Sequence, residues 1–244
     1  MKSLRYLGTI TFLFSLLANP SQVWSDRVDL RITTTQGKEV LLPWPSTKKY
    51  LVLADNSLEG HQIARIENLG EFPQVESIEI YNISSITDYS FLADAVSLRS
   101  LHMSCNIFDL QFLGKLPKLE YLSIDVVDRQ GAGLRTKPVD LQNLKNLDFI
   151  VFSSPDFHAV PPFIGVQNKP YINLDNAPLT TLSDRDVELL KQYSTISFRF
   201  NPISKLPNER QKLRSMQVLY SQDEKMPEKY WKYLPPYDYF KFLK

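Results

Sequence analysis

Two stretches decide the reading of this chain: Leu98-Arg99-Ser100-Leu101-His102-Met103-Ser104-Cys105-Asn106 and Tyr193-Ser194-Thr195-Ile196-Ser197-Phe198-Arg199-Phe200-Asn201. Both follow one frame: apolar, two free, apolar, one free, apolar, two free, Asn. The alternation in the middle predicts a short strand with one buried face. An Asn where the chain leaves the strand can hydrogen-bond backbone that would otherwise be buried unsatisfied.

Five further segments fit the same frame. They are Val75–Ile80, Leu119–Ile124, Leu147–Phe152, Lys169–Leu174 and Leu213–Val218. The second apolar position falls at Ile78, Leu101, Leu122, Ile150, Ile172, Ile196 and Met216, in steps of 23, 21, 28, 22, 24 and 20 residues. An eighth, degenerate unit begins near Lys48, with Leu51, Leu53 and Asn56 in place. The ninth-position Asn is missing at Ile83, Val127, Pro155 and Ala177, so an Asn ladder would be incomplete.

A recurring L-x-x-L-x-L-x-x-N frame with a period of about 20–29 residues resembles the leucine-rich repeat family. The resemblance covers roughly residues 48–220. It implies an α/β solenoid, a horseshoe whose parallel β-sheet lines the concave face. Short helices, 3₁₀ turns and loops would form the convex face. One unit cannot bury its own apolar side, whereas stacked units can. Family analogy makes the ligand another protein, with carbohydrate as the alternative.

The segments between the strands carry their own apolar sets: Phe112, Leu113 and Leu116; Leu141, Leu144 and Leu147; Ile203 and Leu206. Three-residue spacing suits 3₁₀ turns. Ser183 through Lys191 has an N-cap serine, acidic residues early and a lysine late, which predicts a helix. The longest step contains Asp128–Leu134, read as an extruded loop.

Residues 1–25 read as a secretory signal. Lys2 and Arg5 precede the apolar run Leu7–Ala18, which is too short to span a membrane, and Val23-Trp24-Ser25 suits a cut before Asp26. The rest of the chain is balanced, with 26 basic and 27 acidic side chains, and gives no reason to expect nucleic acid. No later stretch is apolar enough for a transmembrane span. Cys105 is the only cysteine, so no internal disulfide can form. In that respect the chain is similar to exported bacterial members of the family, which lack disulfide caps; a periplasmic or secreted location follows. Cys105 itself reads as a small apolar residue.

Both ends look specialised. Residues 26–47 alternate Val28, Leu30, Ile32 and then Val40, Leu42 around Gln36-Gly37-Lys38, which predicts a β-hairpin capping the first unit. Residues 221–244 are dense in aromatics and lysines. A C-terminal cap, a tail docking on a membrane or partner, and an unstructured tail all fit; the open end of the core favours the cap. Docking through this tail would make the chain a structural envelope protein.

No catalytic constellation, metal spacing or cofactor motif of useful specificity is present; an enzyme with an unrecognised site would need His102, Glu79 and Asp125 to line a deep pocket. His61, His102 and His158 fall in different units, and with eight glycines the chain has no phosphate-binding loop. Asp184 and Asp186 are explained by a helix N-terminus. Binding is therefore assigned to the outward positions three, five and seven of the frame. Tyr121, Phe149 and Tyr171 share one column in successive units, so their rings should form a strip at about 4.8 Å spacing. Asp125 and Asp175 flank it, Arg199 lies one unit beyond, and His102 and Tyr81 extend the face. Exposed aromatics beside a few charges match the composition of interface hot spots.

Overall fold

The computed structural model describes residues 27–45, 47–54, 62–81, 83, 85–105, 109–126, 138–153, 160–203 and 217–219. Residues 1–25, Asn56, Asn106, residues 128–134 and residues 221–244, all of which carry expectations above, lie outside the described residues.

The described residues form thirteen strands, eight of them at the repeat-frame positions. In chain order these are β1 (Arg27–Thr34), β2 (Glu39–Pro45), β3 (Tyr50–Ala54), β4 (Ile63–Ile66), β5 (Ser77–Tyr81), β6 (Ser100–Cys105), β7 (Tyr121–Val126), β8 (Val139–Asp140), β9 (Phe149–Ser153), β10 (Phe163–Ile164), β11 (Tyr171–Asn173), β12 (Thr195–Ser197) and β13 (Gln217–Leu219). Eight of them form one sheet in the order β13-β12-β11-β9-β7-β6-β5-β3, and every neighbouring pair is parallel. The second apolar position is in register throughout: Leu51, Ile78, Leu101, Leu122, Ile150, Ile172 and Ile196 sit side by side. Ile196 then pairs with Val218, not with Met216. The last unit is thus displaced by two residues from the sequence reading. A shift of two keeps the same side chains facing inward, so apolar patterning cannot detect it; only the hydrogen-bond register can.

One carbonyl per unit locks this register. The Lys49 carbonyl accepts from the amides of both Glu76 and Ser77, that of Glu76 from Arg99 and Ser100, and that of Arg99 from Glu120 and Tyr121. The Glu120 carbonyl likewise takes Asp148 and Phe149. The pattern thins where Pro170, which has no N–H, leaves Tyr171 alone on the Asp148 carbonyl. The side chains at the first four of these positions alternate in sign and pair on the surface, Lys49 with Glu76 at 2.9 Å and Arg99 with Glu120.

The return segments use a period of three. Leu113, Leu116 and Leu119 each donate an amide to the residue three earlier, beginning at Leu110. Tyr89, Leu92, Ala95 and Leu98 repeat the chain of bonds, and Leu141, Leu144 and Leu147 do so with no assigned helix. Short 3₁₀ helices form at Leu69–Glu71, Ser90–Asp94 and Gln111–Lys115. The three-residue repeat aims every donor residue inward, and all of those named are buried. One α-helix, α1 (Asp184–Leu190), occurs among the described residues. Its Ser183–Asp186 capping box closes both ways, with Ser183 Oγ accepting from the Asp186 amide and the Asp186 carboxylate accepting from the Ser183 amide.

β1 and β2 are antiparallel around Gly37, whose φ of 74° suits the turn. β4 pairs with the other side of β1 and completes a three-stranded sheet. Beyond β4 the Asn68 side chain continues the pairing, accepting from the Arg31 amide at 2.8 Å and donating to the Asp29 carbonyl at 2.9 Å. Leu30 and Ile32 of the hairpin belong to the same buried cluster as the inward residues of the parallel sheet. Each such fully buried side chain contributes about 1.5–3 kcal/mol.

The free edge of β2 is protected by proline. The Thr34 amide bonds the Lys38 carbonyl, which sets the phase of the hairpin and points the amide positions of Val40, Leu42 and Trp44 at β1. Leu41, Pro43 and Pro45 then face away, and the two prolines have no N–H to offer a further strand.

Candidate functional site

The face of the parallel sheet opposite the main core carries frame columns three, five and seven. Column three holds the three rings, and they do align. Tyr121 and Phe149 stack with centroids 5.6 Å apart and 17° between planes; Phe149 and Tyr171 stack at 4.7 Å and 13°. They form a second apolar cluster, separate from the main core, with Val151 packed against it.

Their exposure differs from the expectation of an open strip. Phe149 is 1% and Tyr171 0% accessible, and the next residue in the column, Thr195, is 3%. Only Tyr121 of the three rings is half-buried, so it alone presents surface. Each ring covers one flat face of its neighbour. Phe149 and Tyr171 are buried on the outer face.

Asp175 and Arg199 also serve the backbone. The Asp175 carboxylate accepts from Ser197 Oγ at 2.5 Å and from the Arg199 amide at 2.7 Å, while its own amide donates to Asn173 Oδ1 at 2.7 Å. Burial pushes the Asp175 carboxyl up, and these bonds together with the Arg199 charge oppose the shift. The pair fastens the turn after β11 to the turn after β12.

The half-open part of the face lies on β5, β6 and β7. Strand pairing places Glu79, His102 and Ser123 in one row and Tyr81, Ser104 and Asp125 in the next. Tyr81 donates its hydroxyl to Glu79 Oε2 at 2.6 Å, and its ring lies 5.2 Å from the His102 ring at a 46° tilt. Asp125 Oδ1 accepts from Ser153 Oγ at 2.7 Å. Burial pulls the His102 imidazolium down, against the pull of the Glu79 and Asp125 charges. Burial pushes the Tyr121 hydroxyl up, and a hydrogen bond with Ser123 works against that.

The structure thus gathers Tyr81, His102, Asp125 and Tyr121 on β5–β7, stacks Phe149 on the far side of Tyr121, and places Tyr171, Asp175 and Arg199 further along the sheet. Glu79, which the sequence places in column five, stands directly beside His102. No hydrogen bond joins His102 to either carboxylate, the contact that orients a histidine general base. Among the described residues no group of three His, Cys, Asp or Glu side chains could hold a metal ion. His61, His158 and the Cys105 side chain lie outside the described residues. No described helix is long and apolar enough to cross a membrane.

Parallel strands in one sheet, an in-register apolar frame and three-residue return turns define a leucine-rich-repeat-like fold. No family model and no curated protein matches the sequence. Among solved structures the chain is similar to an internalin (inlF) from Listeria monocytogenes, at 21% identity over 68% of this chain and 39% of that one, with a TM-score of 0.36. An internalin C2 (inlC2) from the same organism is similar at 14% identity over 78% of this chain and 88% of that one, with a TM-score of 0.27. The chain spans well under half the length of the first of these.

Proposed function

We propose that this chain is an exported, non-catalytic recognition module that binds a protein ligand on the concave face of a leucine-rich repeat horseshoe. The observation that carries the reading is the half-exposed patch of Glu79, Tyr81, His102, Tyr121 and Asp125 on β5–β7. It lies on a sheet face whose neighbouring rings, Phe149 and Tyr171, are already packed. Rigid aromatics and a few ionisable groups on regular strands are the make-up of an interface centre, held in place at little entropic cost. The 1–25 segment supplies export, and the hairpin of β1 and β2 covers the first repeat.

Site-specific photocrosslinking in cells producing the protein tests this. A benzoylphenylalanine at Ser100, on the patch, should capture a defined protein adduct, and one at Asn143, on the return side, should not. Equal capture at both positions, or at Asn143 alone, would refute the concave-face reading.

A further inference from the structure

We propose that the β5–β7 patch receives a cationic side chain, arginine or lysine, from the protein partner, seated over the His102 ring. The proposal rests on the binding face described above and specifies the chemistry of its occupant.

His102 is the centre of a small lattice on the outer face. On β5, Glu79 lies beside it and Tyr81 diagonally; on β7, Ser123 lies beside it with Tyr121 and Asp125 on the diagonals. Its own strand adds only Ser100 and Ser104. The nine outward positions of the three strands therefore hold two carboxylates, two phenol rings and one imidazole, with no lysine or arginine. Glu79 and Asp125 stand on the two strands that flank β6, one on each side of His102.

Each carboxylate has one hydroxyl donor, Tyr81 for Glu79 and Ser153 for Asp125. A carboxylate has about four acceptor sites, so each keeps capacity for a charge-assisted bond from an incoming cation. The Tyr81 and His102 rings lie 5.2 Å apart and tilted at 46°, and a phenol ring is one over which a cation can lie favourably. Elsewhere on the face Asp175 is different, because Ser197 and the Arg199 amide already occupy it.

His102 gives the slot a pH dependence. The titratable groups facing it are Glu79 and Tyr81 on β5 and Tyr121 and Asp125 on β7. Burial keeps the imidazole neutral to lower pH than usual. Once protonated it places a cation where the ligand's cation would sit. Binding should therefore weaken on acidification, and His102→Lys should fill the slot permanently.

The test titrates the full chain with an oligoarginine peptide and with the same peptide carrying citrulline, which keeps the shape and loses the charge. The arginine peptide should bind roughly tenfold tighter, as expected for one charge-assisted contact. Glu79→Gln with Asp125→Asn should abolish that ratio, as should His102→Lys. A control pair remote from the patch, Glu71→Gln with Glu188→Gln, should leave it intact. Equal binding of both peptides overturns the proposal, as does equal loss in the control pair, which would mean general surface attraction. Either result leaves photocrosslinking at Ser100 standing, whereas failed photocrosslinking removes the face itself. A circular-dichroism melt of each variant separates lost binding from lost folding.

Discussion

The Asn201 side chain ties two repeats together. Its Nδ2 donates to the Leu174 carbonyl of the preceding unit at 2.7 Å and to the Phe198 carbonyl of its own at 3.0 Å; its Oδ1 accepts from the Leu179 amide at 3.2 Å. One carboxamide thus satisfies backbone on both sides of a turn that leaves the core. Asn201→Ala removes donor and acceptor together and should destabilise the fold by about 1–3 kcal/mol, read from urea unfolding. Asn201→Asp keeps the acceptor but sets a carboxylate oxygen against the carbonyls that Nδ2 serves, and should destabilise at least as much as Asn201→Ala. An unchanged midpoint for Asn201→Ala would show that water replaces the side chain.

Phe200 sits at φ 61° and is 54% exposed. The corresponding residue one unit earlier, Asn176, has φ 59° and belongs to a type that tolerates this region. A bulky aromatic there carries a conformational cost of about 1–2 kcal/mol with little burial to offset it. Phe200→Asn should therefore raise the melting temperature. A lower melting temperature would mean that the ring contributes packing its exposure does not suggest.

The stacked rings should separate by role. Phe149→Ala opens a cavity at a fully buried position and should cost about 3–5 kcal/mol. Tyr121→Ala, at the half-exposed end of the same stack, should cost less, on the order of the 0.5–1.5 kcal/mol of a single ring pair plus partial burial. Equilibrium unfolding of the two variants decides it; equal losses would place Tyr121 among the packing residues.

His102 also makes stability depend on pH. Its folded-state value lies below the ordinary 6.5 because burial disfavours the charged form. The unfolded chain then binds the proton more readily, so this residue's contribution is complete above the ordinary histidine value and declines as the pH falls below it. Urea midpoints of the native chain should drop from about pH 8 to about pH 5 more than those of His102→Gln. Parallel profiles would refute the assignment, since the other histidines are common to both proteins.

The sequence by itself determined the repeat frame. Alternating apolar residues specify an inward face, and Ile78, Leu101, Leu122, Ile150, Ile172 and Ile196 meet there as their spacing requires. The three-residue runs ending at Leu119 and Leu147 and the Ser183 cap were equally legible, because turns and caps are local chemistry. What lies across a sheet face is not local. Column three shows Tyr121, Phe149 and Tyr171 as equivalents, yet the latter two are buried and only the first presents surface. The pairing of Ile196 with Val218 and the strand β4 alongside β1 were likewise decided only in the folded chain, whereas the rows of Glu79, His102 and Ser123 and of Tyr81, Ser104 and Asp125 follow the frame. Hydrogen-bond register and outer-face burial depend on which segments meet, and a period-two pattern is blind to both.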